Sequence, residues 1–434
     1  MRKIIFLSGL AFFLQISVLT AQPKVWTLDE CIRYAFENNI SLRQSRNSYL
    51  SGLEDTQQAR ASLFPTLSAN VNQNVSASPF GGGSSGVYSA SYGVNSSVTL
   101  FDGGKLINTY KSRQIQNAMD SLEVESGKLD LCANIVQAYM QCLYAEESVR
   151  ANENTAAVSL AQRDRASELQ KAGAISKVDF AQLESQYVSN LYQVTAAKNA
   201  LQNYQLQLKQ LLELDILDEM ALAGYEADST EVMRLIPDKA TVYANALDYI
   251  PDLQRSRYST EVAKLSEKSA KALFLPSVNL SAGLGTNNNS MSSAGFGAQI
   301  QDNFSGNAGI GISIPILSGR VNRTTLNKAR IALDNSRLEE KSVEKAILRQ
   351  VESTYLDAVS AQSQYIAALE KQKYAEISYD LTREQFNVGR KNTVELITAQ
   401  NELTAAVQAT IQAKYMALLN MKLLDIYQIG RAHV

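Results

Sequence analysis

The residue types that usually make and break bonds are scarce in this chain of 434 residues. Its one histidine, His433, sits in the terminal run Ile429-Gly430-Arg431-Ala432-His433-Val434, which is what a common short-read sequencing adaptor encodes when translated in frame. Residues 429–434 are therefore expected to be an artefact replacing the true C-terminus, and nothing is argued from His433. Gly309-Ile310-Gly311 is too short for a dinucleotide loop and falls within a strand-like run. Without a phosphate loop, paired metal ligands or a nucleophilic triad, the sequence points away from an enzyme and from any cofactor or metal site. What the spacing does offer is fixed charge. Asp179 and Glu395 each stand six residues beyond a glycine, Gly173 and Gly389, and Lys391 lies between the second glycine and its acid. Their plain alternative role is as solvated helix-end charges, where a pair such as Asp179 and Lys391 contributes under about 1 kcal/mol.

The elements that must position these charges come twice. Ala61-Ser62-Leu63-Phe64-Pro65 returns as Ala272-Leu273-Phe274-Leu275-Pro276, and Ala35 and Leu42 match Ala246 and Leu253 at the same offset of 211. Further on the offset is 216: Leu100 matches Ile316, Gly103 matches Gly319, Tyr139 matches Tyr355, Gly173 matches Gly389 and Asp179 matches Glu395. The five extra residues fall between Pro276 and Ile316, where a surface loop can absorb an insertion. Such self-similarity divides the chain into a first repeat at 22–216, a linker at 217–236 and a second repeat at 237–428.

Each repeat should be dominated by one long helical hairpin. Residues 80–236 and 316–434 contain no proline, as very long helices require. Ile115, Leu122, Leu129, Val136 and Leu143 recur every seven residues, as do Phe180, Tyr187, Val194, Leu201 and Leu208, which marks a coiled-coil seam. The second repeat keeps three- and four-residue spacing in Leu348, Val351, Tyr355, Val359, Gln362, Ile366 and Leu369. Tyr187, Tyr192, Tyr204, Tyr374 and Tyr379 read as packing residues with a polar tip rather than a ligand box. A helix over residues 105–170 would run roughly 100 Å. The reversals fall at Lys171-Ala172-Gly173-Ala174 and Asn387-Val388-Gly389-Arg390, where glycine can take the left-handed conformation that ends a helix.

Before each hairpin the hydrophobic period changes to two. Leu67, Ala69, Val71 and Val75 alternate with Ser and Asn; Tyr88, Ala90, Tyr92, Val94, Val98 and Leu100 alternate with Ser, Gly and Asn. Val278, Leu280, Ala282 and Leu284, and then Ala308, Ile310, Ile312, Ile314 and Ile316, repeat the pattern. Four strands, apolar on one face and small-polar on the other, suit a wall between lipid and a water-filled lumen, with Val94, Val98, Ile310, Ile312 and Ile314 toward lipid. A small soluble sandwich is the competing reading of the strands alone. Four strands cannot close a membrane barrel, for which the smallest single chains use about eight. Open edges are not tolerated in lipid, so several chains must share one barrel.

Targeting fits that reading. Arg2 and Lys3, an apolar stretch at 4–19 and Ala21 form a secretory signal peptide over residues 1–21, and no later stretch approaches the roughly 20 apolar residues of a spanning helix. The formal charge of −2 gives no basic footprint, so no nucleic acid is expected. The three cysteines, Cys31, Cys132 and Cys142, cannot all pair internally, and Cys132 and Cys142 on one helix would stand about 15 Å apart. Packed thiols are expected.

Taken together, Thr27-Leu28-Asp29-Glu30-Cys31 with Ala35 and Asn38-Asn39, Leu63-Phe64-Pro65 and Leu275-Pro276 before the strands, Leu100-Phe101-Asp102-Gly103-Gly104 after them, Tyr139, Tyr355 and the two glycine tips resemble the TolC-like outer-membrane efflux family over residues 26–427. The second repeat departs at Ile316-Leu317-Ser318-Gly319-Arg320, with one glycine fewer. The resemblance implies an α+β membrane protein: a homotrimer whose helical hairpins form a twelve-helix α-barrel across the periplasm and whose strands form a twelve-stranded transmembrane β-barrel in outer-membrane lipid. It implies an exit duct for efflux or type I secretion, served by a periplasmic adaptor (membrane fusion protein) and an inner-membrane pump of RND, ABC or MFS type. It also implies a periplasmic gate, with Asp179 as locking acid, Lys391 as its basic partner and Glu395 as ring acid, while Thr398 occupies a second ring position that is usually acidic. The adaptor would meet the tips at Gly173, Val388 and Gly389, whose alternative role is only to end helices. A trimeric coiled-coil surface adhesin or scaffold is the competing function, but it should carry one C-terminal anchor rather than strand pairs in both repeats.

Overall fold

The computed structural model describes residues 25–77, 87–218, 220–224 and 232–429; the expected signal peptide, nearly all of the first strand connection and residues 430–434 with His433 lie outside the described residues. In order, the elements are β1 (Val25–Trp26), α1 (Leu28–Asn38), α2 (Ile40–Ala61), β2 (Thr66–Ser76), β3 (Val87–Phe101), α3 (Lys105–Lys171), α4 (Lys177–Leu212), β4 (Ala221–Leu222), α5 (Lys239–Tyr249), α6 (Pro251–Ala272), β5 (Ser277–Asn289), α7 (Phe296–Asp302), β6 (Ser305–Ser313), α8 (Val321–Asn387) and α9 (Thr393–Ile429). The two series match in length: α2 and α6 have 22 residues each, and α3 and α8 have 67. At 1.5 Å per residue, 67 residues run about 100 Å.

The chain enters α1 through a capping box, in which the Glu30 N–H donates to Thr27 Oγ1 at 3.3 Å and the Thr27 N–H donates to Glu30 Oε2 at 3.1 Å. The main core lies where α1, α3, α4 and α9 meet, around Ile135, Tyr139, Met140, Leu208, Leu212 and Leu418. Cys31, Cys132 and Cys142 are buried there. Burial is the larger cause that pushes the Cys132 thiol up to about 11 and the Cys142 thiol up to about 12, so both stay protonated packing groups at neutral pH. The Tyr139 hydroxyl donates to the carbonyls of Trp26 at 3.2 Å and Ala223 at 2.8 Å, which ties it to the parallel pair β1–β4. The segment expected as a linker is thus partly built into the core. Val232 is buried as well, and Gln362 Nε2 donates to its carbonyl at 2.8 Å.

The seam expected on α3 and α4 is present: Ile115, Leu122, Leu129, Val136 and Leu143, with Phe180, Tyr187, Val194, Leu201 and Leu208, are all buried or half-buried. On α8 the expected stripe is kept in part: Val351 is buried and Tyr355, Gln362 and Leu369 are half-buried. Leu348, Val359 and Ile366 are exposed, and the buried line runs through Ile347, Val351, Thr354, Ala358, Ala361, Tyr365 and Ala368. Small residues let helix backbones approach closely, and here Thr354, Ala358, Ala361 and Ala368 share the buried line with Ile347, Val351 and Tyr365. Tyr192 and Tyr374 likewise face outward, whereas Tyr379 packs inside.

The four long strands form one antiparallel sheet in the order β2-β3-β5-β6. Its register puts Ala69, Val94 and Leu284 in one row and Val98, Leu280 and Ile310 in another. The opposite face carries rows such as Thr66, Ser97, Ser281 and Gly309. A bulge between Thr99 and Phe101 shifts the register, so Phe101 rather than Leu100 pairs with Val278 and hence Ile312. Ile314 departs from its expected place: β6 ends at Ser313, ahead of Pro315, which has no N–H for the ladder. At the strand-to-helix joints, Gly103 and Gly104 take φ of 71° and 86°, and Gly319 and Arg320 take 54° and 70°. Arg320 therefore adopts the left-handed turn that Gly104 supplies in the first series, at a cost of about 1–2 kcal/mol.

Candidate functional site

Both hairpins reverse the same way. Gly173 donates to Gln170 O at 3.1 Å and Ala174 to Leu169 O at 2.8 Å, with Gly173 at φ 72°. Gly389 donates to Phe386 O at 3.0 Å and Arg390 to Gln385 O at 2.8 Å, with Gly389 at φ 75°. These two hydrogen bonds around a left-handed glycine are a Schellman stop. Among the described residues, chain neighbours apart, no atom stands within 4 Å of a Cβ built on either glycine, so the backbone turn, not crowding, requires glycine there. Val388, just before the second stop, is 71% exposed, which leaves an apolar side chain at the point of the hairpin.

The return helices begin with reciprocal caps that place the acids. Ser176 Oγ donates to Asp179 Oδ2 at 2.7 Å and accepts from the Asp179 N–H at 3.0 Å. Asn392 Oδ1 accepts from the Glu395 N–H at 2.9 Å, and Glu395 Oε2 accepts from the Asn392 N–H at 3.0 Å. Negative side chains in a first helical turn are favoured by the helix dipole as well. The Ser176 hydroxyl, and then that of Thr393, hold the Asp179 carboxyl below its ordinary 3.8. The Lys391 ammonium, and then the Asn392 N–H, hold Glu395 below its ordinary 4.5.

Within one chain Lys391 forms its ion pair with Glu395, one turn along the same segment. The expected pairing of Asp179 with Lys391 is not made within the chain; the side-chain partner of Asp179 is Ser176, with the buried Thr393 of the second hairpin a lesser influence on its carboxyl. Ser176, Asn392 and Thr393 were missed in the sequence, although Ser176-Lys177-Val178-Asp179 and Asn392-Thr393-Val394-Glu395 both carry the capping-box spacing. Behind the acids, Tyr379, Leu396 and Ala399 pack with Phe386 and Leu403, and Gln162 Nε2 donates to the Tyr379 hydroxyl at 2.9 Å. A cavity of about 330 Å³ lies beside this cluster, lined by Leu169, Ile175, Leu183 and Phe386 among others. The arrangement fixes charge at the end of a rigid hairpin pair.

At the other end of the hairpins, Val94, Ile310 and Ile312 stand exposed on the apolar face of the sheet, in the same parity as Val98. The strands β2, β3, β5 and β6 contain no Asp, Glu, Lys or Arg. No helix among the described residues is long and apolar enough to cross a membrane.

The model of the family described as outer membrane efflux protein matches the chain twice, over residues 31–213 and 242–424. The outer membrane efflux protein BepC of Brucella suis is 22% identical over 406 residues, covering 93% of this chain and 86% of that protein. The outer membrane protein TolC of Escherichia coli is 22% identical over 425 residues, covering 94% and 83%. Among solved structures, the CmeC outer membrane channel of Campylobacter jejuni superposes with a TM-score of 0.80 at 18% identity, covering 99% of this chain and 94% of that one.

Proposed function

The chain belongs to the outer membrane efflux protein family, and from that premise we propose that three copies assemble into a duct that carries cargo from a periplasmic adaptor and inner-membrane pump through the outer membrane. The observation that carries the proposal is the open sheet. Among the described residues β2 and β6 are its edges, each paired on one side only, and its apolar face is exposed. Lipid tolerates neither unpaired edges nor a barrel of four strands, so the edges must meet those of other copies. The outward stripe on α8, through Leu356, Val359, Ile366, Tyr374, Ile377 and Leu381, and that on α4, through Val188, Leu191 and Tyr192, supply apolar faces for neighbouring hairpins. Three protomers then give twelve strands and twelve helical columns. The twofold family match supports a duct over an adhesin with a single anchor. Transport through such a bore needs no chemistry from the wall.

At the periplasmic end, Asp179, Lys391 and Glu395 of three protomers encircle the entrance as a gate, and the tips at Gly173, Val388 and Gly389 meet the adaptor. Purified protein in a planar bilayer is expected to show discrete single-channel conductance; a membrane-inserted trimer that never conducts would remove the duct. Val388→Lys, beside the turn but not at its positive φ, is expected to leave the trimer intact and to abolish cross-linking of the tip to the adaptor. Unchanged cross-linking would confine the tip to ending helices.

A further inference from the structure

The second strand connection is longer than the first by the five inserted residues, and in it the chain builds α7. This helix lies on a definite side of the sheet. The Thr286 hydroxyl donates to Ile300 O at 2.7 Å, and the Asn289 N–H donates to Gln299 Oε1 at 2.9 Å. Thr286 pairs with Tyr92 and Asn288 with Ala90, two rows of the same parity as Val94–Leu284 and Val98–Leu280. Ala90 and Asn288 on the sheet are buried on this side, as is Gln299 on the inner side of the helix. α7 therefore sits on the apolar face, continuous with the lipid-facing rows, and not over the small-polar face.

Its height matches the edge of the bilayer. From Phe101 to Tyr92 there are nine residues, which at about 3.3 Å per residue and a tilt near 40° rise roughly 23 Å, close to the apolar band of about 25 Å that such barrels present. Phe64, Phe101 and Phe274 are exposed at the helical end of that band. At the far end, where Thr286, level with Tyr92, holds Ile300, α7 exposes Phe296 at 59% and is followed by Phe304 at 62%, while Met291 comes after Ser290, which pairs with Tyr88 further out. Residues 290–304 carry one charged side chain, Asp302. Large apolar groups left bare next to a lipid-facing wall, in a segment nearly free of charge, fit the boundary between acyl chains and headgroups.

We propose that α7 with Phe296 and Phe304 is a collar seated in the outer leaflet, one per protomer, that fixes how deeply the barrel sits. This rests on the reading of the sheet as an outer-membrane barrel. The test uses the full chain reconstituted in phosphatidylcholine vesicles with brominated acyl chains. The protein has one tryptophan, Trp26, which is buried outside the sheet, so an added tryptophan can be read against the unsubstituted chain. Phe296→Trp is expected to lose most of its added emission to shallow brominated lipid and to resist iodide. Phe304→Trp repeats the measurement should the first variant fail to assemble, and Ile310→Trp reports on the wall itself. Quenching at Ile310→Trp with iodide-accessible emission at both collar positions would overturn the collar alone. Emission at the collar shielded from both quenchers would show protein contact there and overturn it too. Loss of lipid quenching at Ile310→Trp as well would bring down the barrel reading.

Discussion

Arginine at Val98 or Ile310 is expected to destabilise the membrane-inserted trimer by about 2–4 kcal/mol, enough to remove most folded protein from the outer membrane. Both residues lie in the row shared with Leu280, within the apolar band. Ile312 pairs with Val278 and through it with Phe101, at the rim nearest the helices, so Ile312→Arg should cost only about 0–1 kcal/mol. Ser97→Arg points to the opposite face, beside Thr66 and Ser281, and should insert almost normally. Protease-resistant trimer in outer-membrane fractions measures all four. Equal losses at Val98 and Ser97 would mean that the lipid and lumen faces have been assigned the wrong way or do not exist.

The second large effect concerns ion selection at the tip. Glu395→Gln keeps an oxygen for the Asn392 N–H but removes the charge, so the helix cap should survive while cation preference in bilayer recordings falls several-fold. Lys391 partly neutralises Glu395 through their ion pair, so Lys391→Ala should shift preference the other way. Glu395 and Asp179 titrate below their ordinary 4.5 and 3.8 in the folded chain, so the stabilisation they give the tip is present above those values. It is lost as pH falls through the lowered ones. Within one chain both carboxyls therefore stay charged at neutral pH. Combining Asp179→Ala with Lys391→Ala should raise conductance if these residues lock neighbouring protomers. Unchanged conductance there, with unchanged selectivity in Glu395→Gln, would leave only solvated helix-end charges.

The strands were legible because a wall with one apolar and one polar face imposes a period of two that little else produces. Long helices and their stops were legible for related reasons: absence of proline, heptads on α3 and α4, and glycines where the turn needs a positive φ. The α8 seam was legible only in part, at Val351, Tyr355, Gln362 and Leu369, because Thr354, Ala358 and Ala361 carry little hydrophobic signal, while the exposed Leu348 and Ile366 carry more. Short elements escaped too. β1 and β4 are two residues each and depend on a distant partner, and α7 is seven residues whose place is set by Thr286 and Gln299. At the tip, positions of the acids were readable by counting from the glycines, but the choice of Glu395 over Asp179 as the partner of Lys391 depended on two caps acting at once.

The central claim is that this open sheet is completed only by other copies of the same chain. Native mass spectrometry of the detergent-extracted protein tests it directly. The account predicts a single dominant species of three chains, helical for the most part by circular dichroism. A folded monomer, stable at low concentration with strands intact, would contradict it.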